Sequence, residues 1–246
     1  MKHQAGYIPV KRKASCLFAR IKRLILSADF TIVVLVGEDA EGGNDKMILY
    51  TERLILRPWS ENDAKSLFEY AKDPEVGPVA GWLPHKSTQE SLEVIRHVLN
   101  GAECYAICEK GSSTAIGAIE LRLNGATDMT KRDDECELGY WIGKPFWGRG
   151  YVPEAAKEVL RRGFEELGMT TIWCGYYDGN EKSKRVQEKL GFVYHHTCTE
   201  VPVPCMNEIR TGHTNYMTKE QWKRNGCGNQ GIVQEVKNTV AEHRTK

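Results

Sequence analysis

The feature that most constrains the fold of this sequence is a strand, a glycine-containing turn and a helix in direct succession. The turn spans residues 147–152 and reads Trp-Gly-Arg-Gly-Tyr-Val, and Pro153 and Glu154 mark the expected start of the helix. Backbone N–H groups in the first turn of a helix lack an internal partner, and the helix dipole adds partial positive charge there. Since glycine lets that backbone approach a ligand closely, the pattern predicts a site for a phosphate or pyrophosphate group.

The pattern of apolar residues from 47 to 222 predicts hairpins followed by strand–helix units. One strand is expected over Met47–Leu56, and capped helices are expected after Ser60 and Ser87. The later elements are strands over Cys104–Glu109, Ala115–Leu123, Glu135–Ile142 and Thr171–Tyr176, helices over Pro153–Leu167 and Glu181–Leu190, and final strands over Phe192–Val201 and Asn215–Thr218. This order predicts the α/β (α+β) class, with a mixed, mostly antiparallel sheet and helices on both of its faces.

Three segments are expected along the chain. Residues 1–46 read as a basic N-terminal extension and linker, because seven Lys and Arg residues precede the first acid, Asp29, and residues 38–46 are polar and glycine-rich. Residues 47–223 read as the folded domain, and residues 224–246, which are polar and lack periodicity, as a disordered tail. Two alternatives for the extension stay open, an amphipathic helix over residues 11–27 and an added strand over Phe30–Val36.

The composition argues against several classes of protein. A net charge of +1 gives no global case for binding nucleic acid or a membrane surface. The longest apolar run, Phe30–Gly37, is far shorter than the roughly 20 residues that a membrane-spanning helix needs. The eight cysteines include no Cys-x-x-Cys pair and the histidines are scattered, so we expect reduced thiols in a cytoplasmic protein without a metal site.

Three linked motifs carry a family resemblance. They are Glu137–Ile142, Trp147–Ala155, and the segment from Asn180 to Ser183 that continues into Glu188–Phe192. In this order and spacing they resemble the GNAT-superfamily N-acetyltransferases, and within them the branch of ribosomal-protein N-terminal (alanine) acetyltransferases. Residues 47–222, about 70% of the chain, take part, and the combination is far more specific than the glycine-containing turn alone.

The resemblance implies that acetyl-CoA is the co-substrate and assigns residues to its parts. The pyrophosphate would face the backbone amides of Gly148, Arg149, Gly150, Tyr151 and Val152, and the strand edge at Tyr140, Trp141 and Ile142 would bind the pantetheine arm, which the Asn180 side chain also reaches. Two positions depart from the family's Q/R-x-x-G-x-G/A form. Trp147 stands in place of Gln or Arg, and Val152 stands in place of Gly or Ala, where its branched side chain is expected to narrow the approach and loosen CoA binding.

The resemblance also implies an acid and a base. Ser183 matches the position thought to protonate the departing CoA thiolate, since Gln187 occupies the place of the tyrosine that many relatives use. Glu137, on the pantetheine strand, is the expected base for the acceptor amine, with Glu120 as runner-up and a water relay as a further option. Each of these residues also has a purely structural alternative: a helix-start hydroxyl for Ser183, and an edge carboxylate paired with a cation for Glu137.

The function implied is transfer of an acetyl group from acetyl-CoA to a primary amine by direct attack in a ternary complex. The acceptor, a peptide N-terminus or a small molecule, cannot be read, although Trp82 and His85 in the loop Gly77–His85 are candidates to line its pocket. A non-catalytic acyl-CoA-binding or regulatory module is the alternative. The oligomeric state is open, with a homodimer as one option.

Overall fold

An eight-stranded sheet organises residues 47–226, the part of the chain that the computed structural model describes. Its strands are β1 (Leu49–Tyr50), β2 (Leu54–Pro58), β3 (Cys104–Glu109), β4 (Ala115–Arg122), β5 (Glu135–Ile142), β6 (Thr171–Tyr177), β7 (Val193–Val203) and β8 (Glu208–Thr218). They lie in the order β1-β2-β3-β4-β5-β6-β8-β7. Only the β5–β6 pair is parallel among these strands, so the predicted mixed, mostly antiparallel sheet is confirmed.

Helices cover both faces of the sheet, as predicted. They are α1 (Ala64–Ala71), α2 (Thr88–His97), α3 (Tyr151–Arg161), α4 (Glu181–Leu190) and α5 (Lys219–Arg224). Residues of α1 and α2 share one buried cluster with Trp141, whereas α3 shares the other with Cys136, Leu138 and Ile142. The alternation of side chains along β5 therefore feeds two separate cores, one on each face of the sheet.

Strands β5 and β6 part after a short stretch of pairing, and this parting creates the cleft described below. Their register covers only Glu135–Glu137 opposite Thr171–Trp173. Beyond that point β5 stays paired with β4 as far as Ile142, and β6 stays paired with β8 as far as Tyr177. Each strand is thus held by its outer neighbour, and residues 138–142 and 174–177 do not pair with each other across the gap between β5 and β6.

Several element boundaries differ from those expected. The single strand expected over Met47–Leu56 is two antiparallel strands, β1 and β2, because the Thr51 hydroxyl accepts a hydrogen bond from the Leu54 amide and closes a turn. Helix α3 begins at Tyr151 rather than at Pro153, since Gly150, with a φ of 77°, already serves as its N-cap. A π-helical turn over Arg162–Glu166 continues that helix.

Two of the three segments expected from the sequence lie at the ends of the chain. The predicted extension over residues 1–46 lies outside the described residues, as does the predicted tail from residue 227 onward. At the other boundary, α5 ends at Arg224, the first residue assigned to the tail, and Trp222 of that helix is buried against Phe164. Within residues 47–226, none of the helices has the length and apolar character that a membrane crossing would require.

Candidate active site

A cavity of about 500 Å³ lies where β5 and β6 part. The edges of both strands line it, together with the turn before α3 and the first turns of α4. Every residue that the resemblance assigned to CoA binding borders this cavity except Arg149, and so do Glu137 and Ser183, the expected base and acid. The Arg149 guanidinium instead lies over the Phe146 ring, with its Cζ atom 5.3 Å from the ring centre. The structure therefore brings the predicted residues to one place, with one exception.

The turn at the N-terminus of α3 has the geometry of an anion cradle. Gly148 and Gly150 adopt left-handed φ values of 75° and 77°, which side chains other than glycine rarely tolerate. The first hydrogen bond within the helix runs from the amide of Glu154 to the carbonyl of Gly150. The amides of Tyr151 and Val152 come before it and have no acceptor within the helix. A Cβ atom built on Gly148 would meet nothing within 4 Å, which leaves open space for a bulky anion.

Trp147 and Val152, the two departures from the family pattern, both have structural partners. The indole Nε1 of Trp147 donates to the carbonyl of Ile142 at 2.9 Å, and the Lys182 ammonium lies 4.0 Å from the Trp147 ring centre. Trp147 thus anchors the turn to the end of β5. Val152 is 7% exposed, packs in the core on the α3 face and also borders the cavity.

Glu137 sits in a buried ionic cluster at the point where the strands part. Its Oε1 accepts from Arg122 Nη1 at 2.9 Å, and its Oε2 accepts from the Thr127 hydroxyl at 2.5 Å. The same guanidinium donates through Nε to Glu120 at 2.5 Å. Glu137 and Arg122 border the cavity, but Glu120, the runner-up base, is not among the lining residues. Arg122 and Thr127 therefore hold the Glu137 carboxylate in place at the edge of the cavity.

Asn180 and Ser183 occupy the start of α4, as the sequence predicts. The Asn180 Oδ1 atom accepts from the Ser183 amide at 3.2 Å and so caps the helix, while Nδ2 donates to the Val79 carbonyl at 3.2 Å. The hydroxyl oxygen of Ser183 lies 3.0 Å from that of Tyr140 on β5. Burial raises the pKa of the Tyr140 hydroxyl well above its ordinary value of 10, so this group stays protonated.

Sequence reasoning assigned only the backbone of Tyr140 and missed its hydroxyl. The signal was available in the alternation along β5, since Leu138, Tyr140 and Ile142 share the face that meets α3 and α4. Arg122 and Thr127 were also missed. Thr127 lies in the loop between β4 and β5. No local sequence pattern indicates that this loop folds back to contact Glu137.

The loop Gly77–His85, which was expected to shape the acceptor pocket, lines the cavity with different residues from those expected. Trp82 is 1% exposed and packs edge-on against Trp141, with ring centres 5.8 Å apart, and the His85 Nδ1 atom is bonded to the Ser91 hydroxyl. Neither residue lines the cavity, so the suggestion that they do is wrong. The tryptophan side chain is large and mostly apolar. Its burial in the core between α1 and α2 removes more apolar surface from water, and so is more favourable, than a place in a hydrated pocket. Val76, Val79 and Ala80 line the cavity instead.

Three carbonyl groups of this loop are held by side chains from the C-terminal half of the chain. The Pro78 carbonyl accepts from Arg210 Nη1 at 2.5 Å, and the Gly81 carbonyl accepts from the Cys205 thiol at 3.1 Å. The Val79 carbonyl accepts from Asn180, as described above. We call residues 78–81 and these three donors the clasp. The clasp ties the tip of the β7–β8 hairpin and the start of α4 to the loop over Pro78–Ala80.

Comparison with known proteins agrees with this geometry. The family model described as "Acetyltransferase (GNAT) domain" matches residues 53–193. YdaF of Bacillus subtilis (strain 168), which carries the provisional name of a ribosomal N-acetyltransferase, is 39% identical over 153 residues, covering 58% of this chain and 79% of YdaF. The FsC-acetyl coenzyme A-N(2)-transacetylase of Aspergillus fumigatus is 28% identical over 190 residues, covering 72% of this chain and 78% of that protein.

Solved structures show the same fold. A GNAT-family acetyltransferase from Bacillus anthracis superposes with a TM-score of 0.62 at 21% identity, covering 71% of this chain and 99% of that one. The ribosomal-protein-S5-alanine acetyltransferase from Vibrio fischeri gives a TM-score of 0.54 at 18% identity, covering 72% and 98%. Since the family model spans more than half of the sequence, the chain belongs to the GNAT acetyltransferase family.

Proposed function

We propose that this protein transfers an acetyl group from acetyl-CoA to a primary amine by direct attack in a ternary complex. The observation that carries the proposal is the cleft between β5 and β6, because one cavity joins an anion cradle, two strand edges that do not pair with each other, a buried carboxylate and a pair of hydroxyls. The family uses acetyl-CoA as its co-substrate. The left-handed glycines and the open space before Gly148 fit its pyrophosphate.

The chain offers complementary groups for each part of this co-substrate. The amides of residues 148–152 would hold the pyrophosphate, and the strand edge at Tyr140–Ile142 would pair with the amide-containing pantetheine as an added strand would. Lys182, Arg185 and Lys189 line the cavity from one face of α4 and supply positive charge for the phosphates. The thioester contributes the electrophilic carbonyl.

The chemistry assigned to the chain is proton movement around the amine and the sulfur. A primary amine is protonated near pH 7 and attacks only after losing a proton, which Glu137 would take directly or through a water. When the C–S bond breaks, its electron pair stays on sulfur, and Ser183 would donate its hydroxyl hydrogen there and regain a proton from water. Glu120 is the second candidate base, and it would need a water relay because it does not border the cavity.

Two classes of acceptor amine are candidates. Two relatives have different names, a ribosomal N-acetyltransferase and an FsC-acetyl coenzyme A-N(2)-transacetylase, and we keep both a peptide N-terminus and a small-molecule amine as candidate acceptors. A cytoplasmic setting belongs to the proposal and is supported by six described cysteines that form no disulfide with one another.

Thiol release from acetyl-CoA by the full chain tests the function. The acceptor panel comprises peptides with varied N-terminal residues, polyamines and aminoglycosides. Turnover with any amine supports the proposal, and the preferred acceptor names the class. Binding of acetyl-CoA without turnover on every amine would favour the alternative, a non-catalytic acyl-CoA-binding module.

A further inference from the structure

A buried amide lies behind the hydroxyl of Ser183. Gln187, one helical turn further along α4, is fully buried, and its neighbour Asn215 on β8 is 6% exposed. The Gln187 Nε2 atom lies 3.3 Å from the Gly175 carbonyl oxygen and 3.2 Å from Ser183 Oγ. Its Oε1 atom accepts from Asn215 Nδ2 at 2.9 Å. All the polar atoms of this side chain are therefore engaged inside the protein.

These contacts fix which way the amide of Gln187 points. A backbone carbonyl only accepts hydrogen bonds, so the group that faces Gly175 must be the NH₂ and not the oxygen. The second hydrogen of that NH₂ then points at Ser183 Oγ. Ser183 is consequently an acceptor toward Gln187, and its own hydroxyl hydrogen has to point elsewhere.

The Tyr140 hydroxyl oxygen is the acceptor available to the Ser183 hydroxyl hydrogen. The Tyr140 hydroxyl lies 3.2 Å from the Ser183 carbonyl oxygen, to which it donates, and 3.0 Å from Ser183 Oγ. A phenol that donates its one hydrogen to a carbonyl leaves its oxygen free to accept. The Ser183 hydrogen can therefore point at Tyr140, and because both residues border the cavity, it can turn from there toward a group inside the cavity.

We propose that Gln187 is a positioning residue that holds the Ser183 hydroxyl as a hydrogen-bond donor toward the departing CoA sulfur. This inference rests on the proposed function. The sulfur leaves with the electron pair of the C–S bond, the Ser183 O–H bond yields its hydrogen to that sulfur, and water returns a proton to the serine oxygen. Gln187 neither touches the substrate nor exchanges a proton, and its part is to fix the direction of the donor.

The test is a double-mutant cycle on kcat in the full chain. Gln187→Met keeps the length and apolar volume of the side chain but removes both hydrogen-bond donors and the acceptor. We expect it to lower kcat about five- to tenfold without changing the KM for acetyl-CoA, and Ser183→Ala to lower kcat by a similar factor. The double variant should be no slower than Ser183→Ala alone, because Gln187 acts only through Ser183.

A purely structural role gives a different result. Loss of the Gly175 and Asn215 contacts also reduces stability, so rates are measured well below the melting temperature and per CoA-binding site found by calorimetry. An equal loss of kcat from Gln187→Met in the presence and in the absence of the Ser183 hydroxyl would overturn the inference. So would full kcat in Ser183→Ala. Absence of turnover in the wild-type protein would instead refute the proposed function, so the two failures are distinguishable.

Discussion

The guanidinium of Arg53 and the carboxylate of Glu154 meet at 2.6 Å between Nε and Oε2, although the residues lie 101 positions apart. The Arg53 amide and the Thr51 hydroxyl both donate to the other oxygen, at 2.8 and 2.6 Å. Glu154 lies in the first turn of α3, beside the anion cradle. A carboxylate there would repel a phosphate, so Arg53 neutralises the unfavourable charge behind the cradle.

Replacement of Arg53 should weaken CoA binding. Arg53→Met leaves the Glu154 charge without its cation, and we expect the Kd for CoA to rise about three- to tenfold at low salt and less at high salt. Calorimetry at two salt concentrations measures this. Arg96→Met is the matched control, because Arg96 on α2 is about as exposed as Arg53 and also pairs with a glutamate, Glu61, while neither residue borders the cavity. An equal change in both variants would contradict the prediction.

The same pair predicts a pH dependence of stability. Burial alone would raise the pKa of Glu154, but the hydrogen bonds from Thr51 and Arg53 hold it below its ordinary value of 4.5. A lowered folded-state pKa gives stability that is present above pH 4.5 and is lost as the pH falls through the folded value. The difference in melting temperature between wild type and Glu154→Gln should therefore shrink below pH 4.5. A difference that stays constant down to acid pH would exclude this linkage.

The cradle glycine gives a sharp test of the anion site. Gly150→Ala should abolish or strongly weaken CoA binding, because its left-handed φ of 77° resists a side chain and the strained turn would move its amides. Gly168→Ala is the control, since Gly168 has a similar φ of 73° but does not border the cavity. Both variants should lose about 1–2 kcal/mol of stability, but only the first should lose CoA affinity in calorimetry.

Glu137 and Glu120, the two candidate bases, both bond Arg122, and substitution of each in turn distinguishes between them. Glu137→Gln keeps the hydrogen-bonding shape but removes the base, and kcat should fall about 10²–10⁴-fold with little change in CoA affinity. Glu120→Gln changes the same Arg122 cluster without touching the cavity, so it should retain most of the rate. Thiol-release kinetics on both variants decides the matter. The reverse ranking would make Glu120 the base, acting through water.

We expect the clasp to affect binding of the acceptor amine rather than binding of acetyl-CoA. Arg210→Met removes the donor to the Pro78 carbonyl and loosens the loop that carries Val79 and Ala80, which line the cavity. The KM for the amine is expected to rise about threefold or more while the KM for acetyl-CoA stays constant. Arg132→Met, which removes an exposed partner of Asp134, serves as the control. A parallel rise in both KM values would argue against this division.

The sequence predicted the sheet type and nearly all of the candidate site, because strand alternation, caps and glycine turns are local signals. It failed where a contact joins distant segments. The last strand starts at Glu208 rather than at Asn215, and its residues 212–214, which lie before the expected start, pair with residues 175–177 of β6. The burial of Trp82 and the reach of Thr127 depend on long-range packing, which no local pattern encodes.

The clasp has a consequence for folding kinetics. Its contacts join residues 101, 124 and 132 positions apart, so each closes a long loop and carries a large entropic cost. Contacts of this range form late in topologies rich in non-local pairing. We therefore expect the sheet and its helices to assemble before the acceptor side of the cleft is complete. During refolding, CoA affinity should then return earlier than affinity for the amine.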